Sequence, residues 1–413
     1  MKSPDNFQLS EVALSQIFWE IDIQVKTNLS RVLAAMREHK VGSHHFASVS
    51  GYGHDDSGRD VLDHVFADVM QAEAAAVRVQ FVSGTHAIAC ALYGVLRPQD
   101  ELLAVAGSPY DTLEEVIGLR GDRQGSLKDF GISYRELPLT INGSVDWESL
   151  KSAIHSHTRM VLIQRSCGYS WRRSLTIADI ERIVRIVKQQ NPDTICFVDN
   201  CYGEFVEERE PTAVGADLMA GSLIKNPGGT IATTGGYLAG RAEWVEQALC
   251  RLTAPGIGGS GGSSLNQNRL FFQGLFLAPQ MVGEAMKGNA LLAHTLSQLG
   301  YPVNPPAGDR QRDVIQAIKL GSSEKLIAFC KAVQQNSPID SYVEPIPAGM
   351  PGYESELVMA GGTFIDGSTS ELSADGPLRE PYIVYCQGGT HWTHVAIALD
   401  AAVEAINLIH ENV

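Results

Sequence analysis

Asp199 and Lys225 are the residues whose types and spacing are best suited to chemistry. The apolar run 194–198 is typical of a buried strand and ends in Asp199, and a second short apolar run, 217–221, leads to Lys225. A lysine amine can form a Schiff base with the aldehyde of pyridoxal phosphate (PLP), and a carboxylate can keep the pyridine nitrogen protonated so that the ring withdraws electrons. The pair therefore predicts a PLP site. The alternative is a turn-capping aspartate and a solvated lysine.

A site for the cofactor phosphate is predicted by the small-residue turn Ser83-Gly84-Thr85, which follows an apolar strand-like run and opens a helix-like one. The first turn of a helix offers free backbone N–H groups and the positive end of the helix dipole, and both favour a phosphate. Ser222, which lies three residues before the lysine, can add a hydroxyl donor. Taken alone, Ser-Gly-Thr is also an ordinary helix N-cap.

Tyr110 is the candidate for stacking on the pyridine ring. It follows the apolar run 101–106 in the segment Gly107–Thr112, at the sheet edge where the other candidates are expected. Aromatic rings stack favourably with an offset. The alternative interpretation is a turn tyrosine that is partly buried in the core.

Composition excludes several classes of function. The chain has 413 residues, a formal net charge of −15 and a pI near 5.2, which disfavour nucleic-acid and anionic-membrane partners. No apolar run approaches the roughly 20 residues that cross a bilayer, and the N-terminus does not resemble a signal peptide. Seven scattered cysteines without a CxxC pair argue against a zinc site and a disulfide framework. We expect no metal, reduced thiols and a cytoplasmic location.

The apolar pattern predicts an α/β protein with a mostly parallel sheet, because strand-like and helix-like runs alternate up to about residue 240. Ligands of such sheets bind beyond the carboxyl ends of the strands. We expect an N-terminal helical arm (1–50), a large α/β domain (51–255) and a smaller α+β C-terminal domain (256–413). The predicted strands are 77–82, 101–106, 159–164, 194–198, 217–221, 234–239, 312–319 and 382–386. The predicted helices are 8–39, 59–75, 85–96, 111–120, 176–190, 265–298, 322–335 and 393–411.

These motifs together resemble the fold-type I PLP enzymes of the cystathionine lyase and methionine γ-lyase class. The resemblance covers nearly the whole chain and is closest to the branch of carbon–sulfur lyases named for aluminium resistance. It implies the PLP-dependent transferase-like fold with a sheet of the seven-stranded type. The strings that carry it are Ser83-Gly84-Thr85, Pro109-Tyr110-Asp111-Thr112, Asp199-x-x-Tyr202, Ser222-x-x-Lys225, Gly51-Tyr52-Gly53-His54-Asp55-Asp56-x-Gly58-Arg59, Leu223-Ile224-Lys225-Asn226-Pro227-Gly228-Gly229 and Leu252-Thr253-Ala254-Pro255-Gly256-Ile257-Gly258.

The resemblance also implies roles for single residues. It makes Lys225 the Schiff-base lysine and Asp199 the partner of the pyridine nitrogen. It places Tyr110 against the ring. The remaining cofactor contacts that it implies are Ser83, Gly84, Thr85, Tyr202 and Ser222.

Two further cofactor contacts are expected to come from a neighbouring subunit. The class completes its phosphate site with a tyrosine and an arginine of that subunit, and Tyr52 and Arg59 occupy the matching region. Their spacing differs from the usual Tyr-x-Arg. The resemblance therefore implies a homodimer or homotetramer whose active site is shared between subunits.

Arg379 is the best match to the arginine that binds the substrate α-carboxylate in this class, since a guanidinium pairs well with a carboxylate. The alternative is a surface arginine before a strand. The segment 164–173 departs most from the class, and its arginines, Arg165, Arg172 and Arg173, are open candidates to face the substrate or the cofactor O3′.

We expect a carbon–sulfur lyase that cleaves a sulfur-containing amino acid by β- or γ-elimination into a thiol, ammonia and a 2-oxo acid. Transamination, aldol cleavage and γ-replacement need the same lysine and cofactor, so they stay open as alternatives. A non-catalytic PLP-binding protein is the alternative outside the enzymes.

Overall fold

The structure is a computed structural model that describes residues 6–121, 124–350, 353 and 355–410. Two long helices, α1 (Asn6–Glu38) and α8 (Asn268–Gln298), pack along each other. Gly283 of α8 permits their close approach, because a Cβ at that position would collide with Val25 of α1. The other α-helices of the described residues are α2 (Ser57–Val69), α3 (Gly84–Val95), α4 (Asp111–Ile117), α5 (Trp147–Ala153), α6 (Ile177–Gln190), α7 (Ala242–Leu252), α9 (Ser323–Gln335) and α10 (Trp392–His410).

Seven strands form the larger sheet, in the order β1-β7-β6-β5-β4-β2-β3. Strand β7 runs antiparallel to both of its neighbours, and the other pairings are parallel. The central strands are buried along their whole length, as expected for a sheet that is covered on both faces. The strands are β1 (Ala74–Arg78), β2 (Glu101–Ala104), β3 (Ser133–Glu136), β4 (Thr158–Gln164), β5 (Ile195–Asp199), β6 (Leu218–Ser222) and β7 (Gly236–Gly240).

Helices cover both faces of this sheet. On one face, apolar side chains of α1, α2, α6 and α8 pack against alternate strand residues such as Val161 and Val198. On the other face, α3, α4 and α7 pack against the intervening residues, such as Leu162 and Phe197. Burying both sets leaves the strand ends as the place where polar side chains can meet a ligand.

Five antiparallel strands form the second, smaller sheet, in the order β10-β11-β12-β9-β8. One face packs against α8, α9 and α10. The opposite face carries Ile315, Ile383 and Tyr385, which pack with Cys167 from the loop after β4. This contact places the small sheet over the carboxyl ends of the large-sheet strands. The strands are β8 (Val303–Asn304), β9 (Ile315–Lys319), β10 (Leu357–Ala360), β11 (Ser373–Pro377) and β12 (Ile383–Gln387).

The predicted fold class is confirmed, whereas several element predictions were wrong or incomplete. The first strand occupies Ala74–Arg78 and not 77–82, so the turn before Ser83 is longer than expected. Helices α5 and α7 and strands β3, β8, β10 and β11 were not predicted. The strands missed are two to five residues long, too short to show a clear alternation. The proposed domain boundaries stay predictions.

Helix α10 is not an unbroken apolar run, but among the described residues it is long and apolar enough on average to cross a membrane. Its residues Trp392–Ile409 reach a mean hydropathy of 1.3, which meets that requirement by length and composition alone. Core helices meet the same requirement. In the structure α10 packs against α8 and α9, and its Val395, Leu399 and Ala402 are buried.

Candidate active site

A cavity of about 600 Å³ lies between the carboxyl ends of the large-sheet strands and the small sheet. Such a volume suits a cofactor and a small substrate together. All of the predicted site residues except Tyr52 and Arg59 line this cavity, namely Ser83, Gly84, Thr85, Tyr110, Asp199, Tyr202, Ser222, Lys225 and Arg379.

Lys225 follows strand β6 and caps the 3₁₀ turn Asn226–Gly228. Its Nζ lies 3.9 Å from the centroid of the Tyr202 ring, a cation–π contact that holds the amine at the cavity. Burial by itself lowers the pKa of this lysine, but the acidic groups around it, including Cys201, Tyr202 and Asp199, raise the pKa above its usual value.

Asp199 is the last residue of β5, directly beside β6, and it is only 4% exposed. Its Oδ1 accepts a hydrogen bond of 3.1 Å from the backbone N–H of Cys201, which fixes the carboxyl. Burial raises the pKa of Asp199, while the charge of Lys225 and the N–H of Cys201 oppose that rise. A buried carboxyl of this kind interacts strongly with a cation brought into the cavity, because the local dielectric is low.

The predicted phosphate turn begins α3, with Ser83 as the N-cap. The Ser83 hydroxyl accepts a hydrogen bond of 3.1 Å from the His86 N–H. Gly84 makes the turn open, because an added Cβ would lie 3.0 Å from Cβ of Ser222 and 3.3 Å from Sγ of Cys201. Any larger residue would fill the space between the helix start and the end of β6. The N-terminus of α3 and Ser222 thus form a cradle of the kind that binds phosphate.

Tyr110 is held at both ends. Its backbone N–H donates a hydrogen bond of 2.9 Å to Oε1 of Gln164, and its hydroxyl shares a hydrogen bond of 3.0 Å with the Thr85 hydroxyl. Burial, with the charge of Asp199, raises the pKa of Tyr110 well above its usual value, so the phenol stays protonated. Gln164 was not among the predicted site residues, although a polar residue at the end of an apolar strand is a signal that the sequence contains.

Tyr52 and Arg59 lie outside the cavity of their own chain. The Tyr52 side chain is 84% exposed, between Gly51 and Gly53, which both have positive φ. Arg59 is 4% exposed, and its Nη1 donates hydrogen bonds to the carbonyl oxygens of Gly53 (2.7 Å) and Gly262 (3.0 Å). Arg59 therefore ties the two glycine-rich segments of one chain together, a role that the sequence analysis did not foresee.

The three arginines of segment 164–173 occupy three different environments. Arg165 is fully buried beneath the site, where it donates to the Gly203 carbonyl oxygen at 2.8 Å. Arg172 lines the cavity, but its Nη2 is bound to the carbonyl oxygens of Gln164 and Ser166. Arg173 is exposed and pairs with Asp309 at 2.8 Å. Of these three arginines only Arg172 lines the cavity, and its guanidinium already donates hydrogen bonds to backbone carbonyl oxygens of the loop after β4.

Arg379 lies between β11 and β12 and lines the cavity opposite the large sheet. Among the residues that the structure describes, its guanidinium forms no ion pair, so the charge is free to meet a ligand. The neighbouring strand β11 brings Asp375 to the same cavity. This carboxylate was not predicted, because the strand that carries it was not recognised.

The residues present fit PLP. The Gly84 cradle suits the phosphate, the Asp199 carboxyl suits the pyridine nitrogen, and the Tyr110 ring offers an aromatic face. Lys225 supplies the amine. These groups come from the ends of β5 and β6 and from the segments after β1 and β2, so they meet only because the strands are neighbours in the sheet. The fold and the site together define a fold-type I PLP enzyme architecture.

Comparison with known proteins agrees with that class. Residues 5–407 match the family described as methionine γ-lyase, and the chain belongs to this family, whose members are PLP-dependent. The uncharacterized protein YnbB of Bacillus subtilis strain 168 is 51% identical over 397 residues, which are 96% of this chain and 94% of that protein.

Solved structures show the same relationship. The structure of a carbon–sulfur lyase involved in aluminium resistance from Clostridium novyi NT is 47% identical, with a TM-score of 0.91 and coverage of 96% of this chain and 95% of that one. A cystathionine γ-synthase from Xanthomonas oryzae pv. oryzae, at 19% identity and a TM-score of 0.60, covers 85% of this chain and 86% of its own and shares the fold. The predicted family, including its aluminium-resistance branch, is confirmed.

Proposed function

We propose that the chain is a PLP-dependent carbon–sulfur lyase that cleaves a sulfur-containing amino acid by β- or γ-elimination. The products are a thiol, ammonia and a 2-oxo acid. The observation that carries the proposal is the meeting of Lys225, Asp199 and the Gly84 cradle in one cavity of a chain that belongs to a carbon–sulfur lyase family.

Bound PLP would act as the electron sink for a carbanion at the substrate Cα. The chain's own residues hold the cofactor: Gly84, Thr85 and Ser222 at the phosphate, Asp199 at the pyridine nitrogen, and Tyr110 against the ring. Tyr110 can keep one orientation, because Gln164 and Thr85 hold it at both ends.

Lys225 has two tasks in this proposal. Its amine anchors the cofactor, and once the substrate amine has taken its place it is the general base that removes the Cα proton. Arg379 binds the substrate α-carboxylate, since its charge has no partner among the described residues and the acidic chain supplies no general positive field. In β-elimination the Cβ–S bond then breaks, and the sulfur leaves with the bonding electrons and takes up a proton to give the thiol. In γ-elimination a Cβ proton must be removed before the Cγ–S bond breaks. In both cases water hydrolyses the remaining enamine, through its imine, to ammonia and the 2-oxo acid.

A substrate screen on the PLP-loaded protein tests the proposal. Cysteine, cystathionine, homocysteine and methionine are offered in turn, and thiol and 2-oxo acid are measured together. Equal release of both supports elimination. Oxo acid without thiol indicates transamination, and no product from any sulfur amino acid counts against the lyase.

We also propose that the protein is at least a dimer and that Tyr52 completes the active site of a partner subunit. The Tyr52 side chain is exposed between two positive-φ glycines, one of which is bound by Arg59. Among the described residues its one aromatic contact is the His54 ring, whose centroid lies 5.7 Å away. Val82, directly before the phosphate turn, is 76% exposed, so the region beside the cradle is also apolar and open.

Mixing two inactive variants tests the shared site. A Tyr52→Ala subunit keeps Lys225, and a Lys225→Ala subunit keeps Tyr52, so a mixed dimer has one complete site. Activity should return when the two are unfolded and refolded together, and light scattering should show at least a dimer. A fully active monomer would refute the proposal.

A further inference from the structure

Asp375 is a buried carboxylate whose oxygens are only partly paired by hydrogen bonds from the surrounding protein. It lies on β11, is 4% exposed and lines the cavity. Its Oδ2 accepts one hydrogen bond of 3.2 Å from Nε2 of Gln387. Its Oδ1 has no hydrogen-bond partner, and within the described part of the chain no Lys, Arg or His pairs with it. A buried acceptor left without a partner costs free energy, so the residue calls for an explanation.

The surroundings of Asp375 are aromatic and apolar. Tyr385 lies directly opposite on β12, and Ile315 and Tyr385 belong to the apolar cluster of this face. The Tyr169 ring lies 5.2 Å from that of Tyr385. Burial raises the pKa of Asp375 to about 7, and a side-chain hydrogen bond from Tyr169 to the carboxyl opposes the rise. Aromatic faces beside a carboxylate are the usual way in which proteins bind organic cations.

A second polar atom on this wall also lacks a partner. Thr369 is 3% exposed and lines the cavity, and its Oγ1 makes no hydrogen bond within the described residues. The hydrogen bond from Gln387 does not explain why residue 375 is a carboxylate, because the neutral amide oxygen of an asparagine could accept the same bond. The unmet acceptors point instead to a ligand that brings several N–H donors into the cavity.

The position of this wall relative to Lys225 indicates which part of a ligand reaches it. The Tyr202 ring contacts Lys225 at 3.9 Å. Burial raises the pKa of Tyr202 to about 12, Lys225 lowers it, and Asp375 raises it further, so both charges act on the same ring. Lys225 follows β6 of the large sheet and Asp375 lies on β11 of the small sheet, and both line the same cavity, so a group bound at Asp375 lies on the wall opposite the reacting amine.

We propose that Asp375, Thr369 and the rings of Tyr169 and Tyr385 form a pocket for a positively charged group at the far end of the substrate. The proposal rests on the lyase function proposed above and narrows it: the preferred substrates are amino acids whose sulfur substituent carries an ammonium group. The ammonium donates to Asp375 and Thr369, and the tyrosine rings exclude water around it. A purely apolar substituent of equal length leaves both acceptors unpaired.

The test compares ligands of equal length and different charge. S-(2-aminoethyl)-L-cysteine carries an ammonium where S-propyl-L-cysteine carries a methyl group, and S-(carboxymethyl)-L-cysteine carries an anion. Dissociation constants are measured by calorimetry on PLP-loaded Lys225→Ala protein, which separates binding from turnover. We expect the aminoethyl compound to bind at least about tenfold more tightly than the propyl compound, because hydrogen bonds to charged groups exceed neutral ones. The anion should bind most weakly.

Asp375→Asn, made in the same background, should bring the two constants to within about twofold, since the amide keeps the shape and removes the charge. Glu356→Gln is the matched control, because Glu356 is exposed just before β10 and does not line the cavity. It should leave the preference unchanged. An Asp375→Asn protein that keeps the full preference would overturn the proposal.

If Asp375→Asn does not fold, ligand binding by the Lys225→Ala protein still tests the pocket. Equal or tighter binding of the propyl compound by the Lys225→Ala protein overturns it without any further variant. Thiol release by the unmodified PLP-loaded protein then separates the two proposals. Cation preference without thiol release contradicts the lyase alone, and thiol release without cation preference contradicts the pocket alone.

Discussion

The two walls of the cavity differ in how completely their polar groups are paired. On the large-sheet wall, Tyr110 is bound at its N–H and its hydroxyl, and the Asp199 carboxyl accepts a backbone N–H. On the small-sheet wall, Asp375 keeps an unpaired oxygen, and Arg379 has no ion pair within the described residues. A wall with fixed side chains suits a resident cofactor, and a wall with unmet polar groups suits a ligand that comes and goes.

The fixed wall is supported from beneath by a buried polar network. Arg165 binds Asn200 and Gly203 on the turn after β5, while Glu210 accepts the Phe205 N–H at 2.9 Å. Burial raises the pKa of Glu210, and Arg165 opposes that rise. The turn that carries Cys201 and Tyr202 thus depends on charges that never contact the cavity.

Among these tests of the difference between the two walls, replacing Lys225 on the large-sheet wall should have the largest effect on activity. We expect Lys225→Ala to lower activity by about 10³-fold or more, because both anchoring and general-base catalysis are lost. Borohydride should attach the cofactor to the peptide that contains Lys225 in the parent protein. Lys319→Ala is the control, since Lys319 also lies on an aromatic ring, 4.1 Å from the Trp171 centroid, but not at the cavity. Attachment to a different lysine would show that the residue is misassigned.

Arg165→Met should destabilise the protein without a specific effect on substrate binding. Removing one member of a buried charge pair typically costs about 3–5 kcal/mol. We expect the lower end of that range, because Arg31, 3.7 Å from Glu210, still compensates part of the carboxylate charge. Denaturant unfolding measures the loss. The exposed Arg173→Met is the control and should change the free energy of unfolding little. Unchanged stability of Arg165→Met would mean that the network does not support this wall.

Asp199→Asn should separate cofactor binding from catalysis. The neutral amide cannot hold the pyridine proton, so we expect activity to fall by about 10²-fold, the loss typical for a buried charged interaction. The phosphate cradle is untouched, so the protein should still retain PLP after dialysis, as measured by absorbance. Full activity of this variant would exclude Asp199 as the partner of the nitrogen.

Arg379→Ala tests the small-sheet wall at the substrate carboxylate. Arg379 is exposed, so its pairing with the substrate carboxylate is partly screened, and we expect kcat/KM to fall by about tenfold, the lower end for hydrogen bonds to charged groups. The absorbance spectrum of the bound cofactor should stay unchanged, because the residue faces the substrate. Normal kcat/KM toward every amino acid that the parent converts would move the carboxylate site elsewhere, and Arg172 would be the next candidate.

Gln164→Leu should have the smallest effect. It removes the acceptor of the Tyr110 N–H and also a hydrogen bond of 3.1 Å to the Ser166 carbonyl oxygen, while the Thr85 contact remains. Only the first of these bonds orients Tyr110. One neutral hydrogen bond contributes about 1 kcal/mol, so we expect about a fivefold loss of kcat/KM. Ser108→Ala, in the same segment and at the cavity, is the control. A loss as large as that of Arg379→Ala would show that Tyr110 depends on this single bond.

The sequence by itself determined the residues on the cofactor side. Ser83-Gly84-Thr85, Tyr110, Asp199 and Ser222–Lys225 are local signals, because each is a short motif at the end of an apolar strand. Neighbouring parallel strands then have to bring such ends to one edge of the sheet. The fold class also followed from the alternation of strands and helices, whereas the bounds of β1 were predicted incorrectly.

On the small-sheet wall, Arg379 was predicted from the sequence, whereas only the tertiary structure revealed Asp375. Strand β11 is a stretch of small and polar residues whose burial comes from pairing with β10 and β12, so nothing local marked Asp375 as buried. The same applies to the arginines after β4: Arg165 and Arg172 are buried, whereas Arg173, the next residue after Arg172, is exposed. Whether a charged side chain is paired, buried or free depends on long-range packing, which composition and periodicity do not reveal.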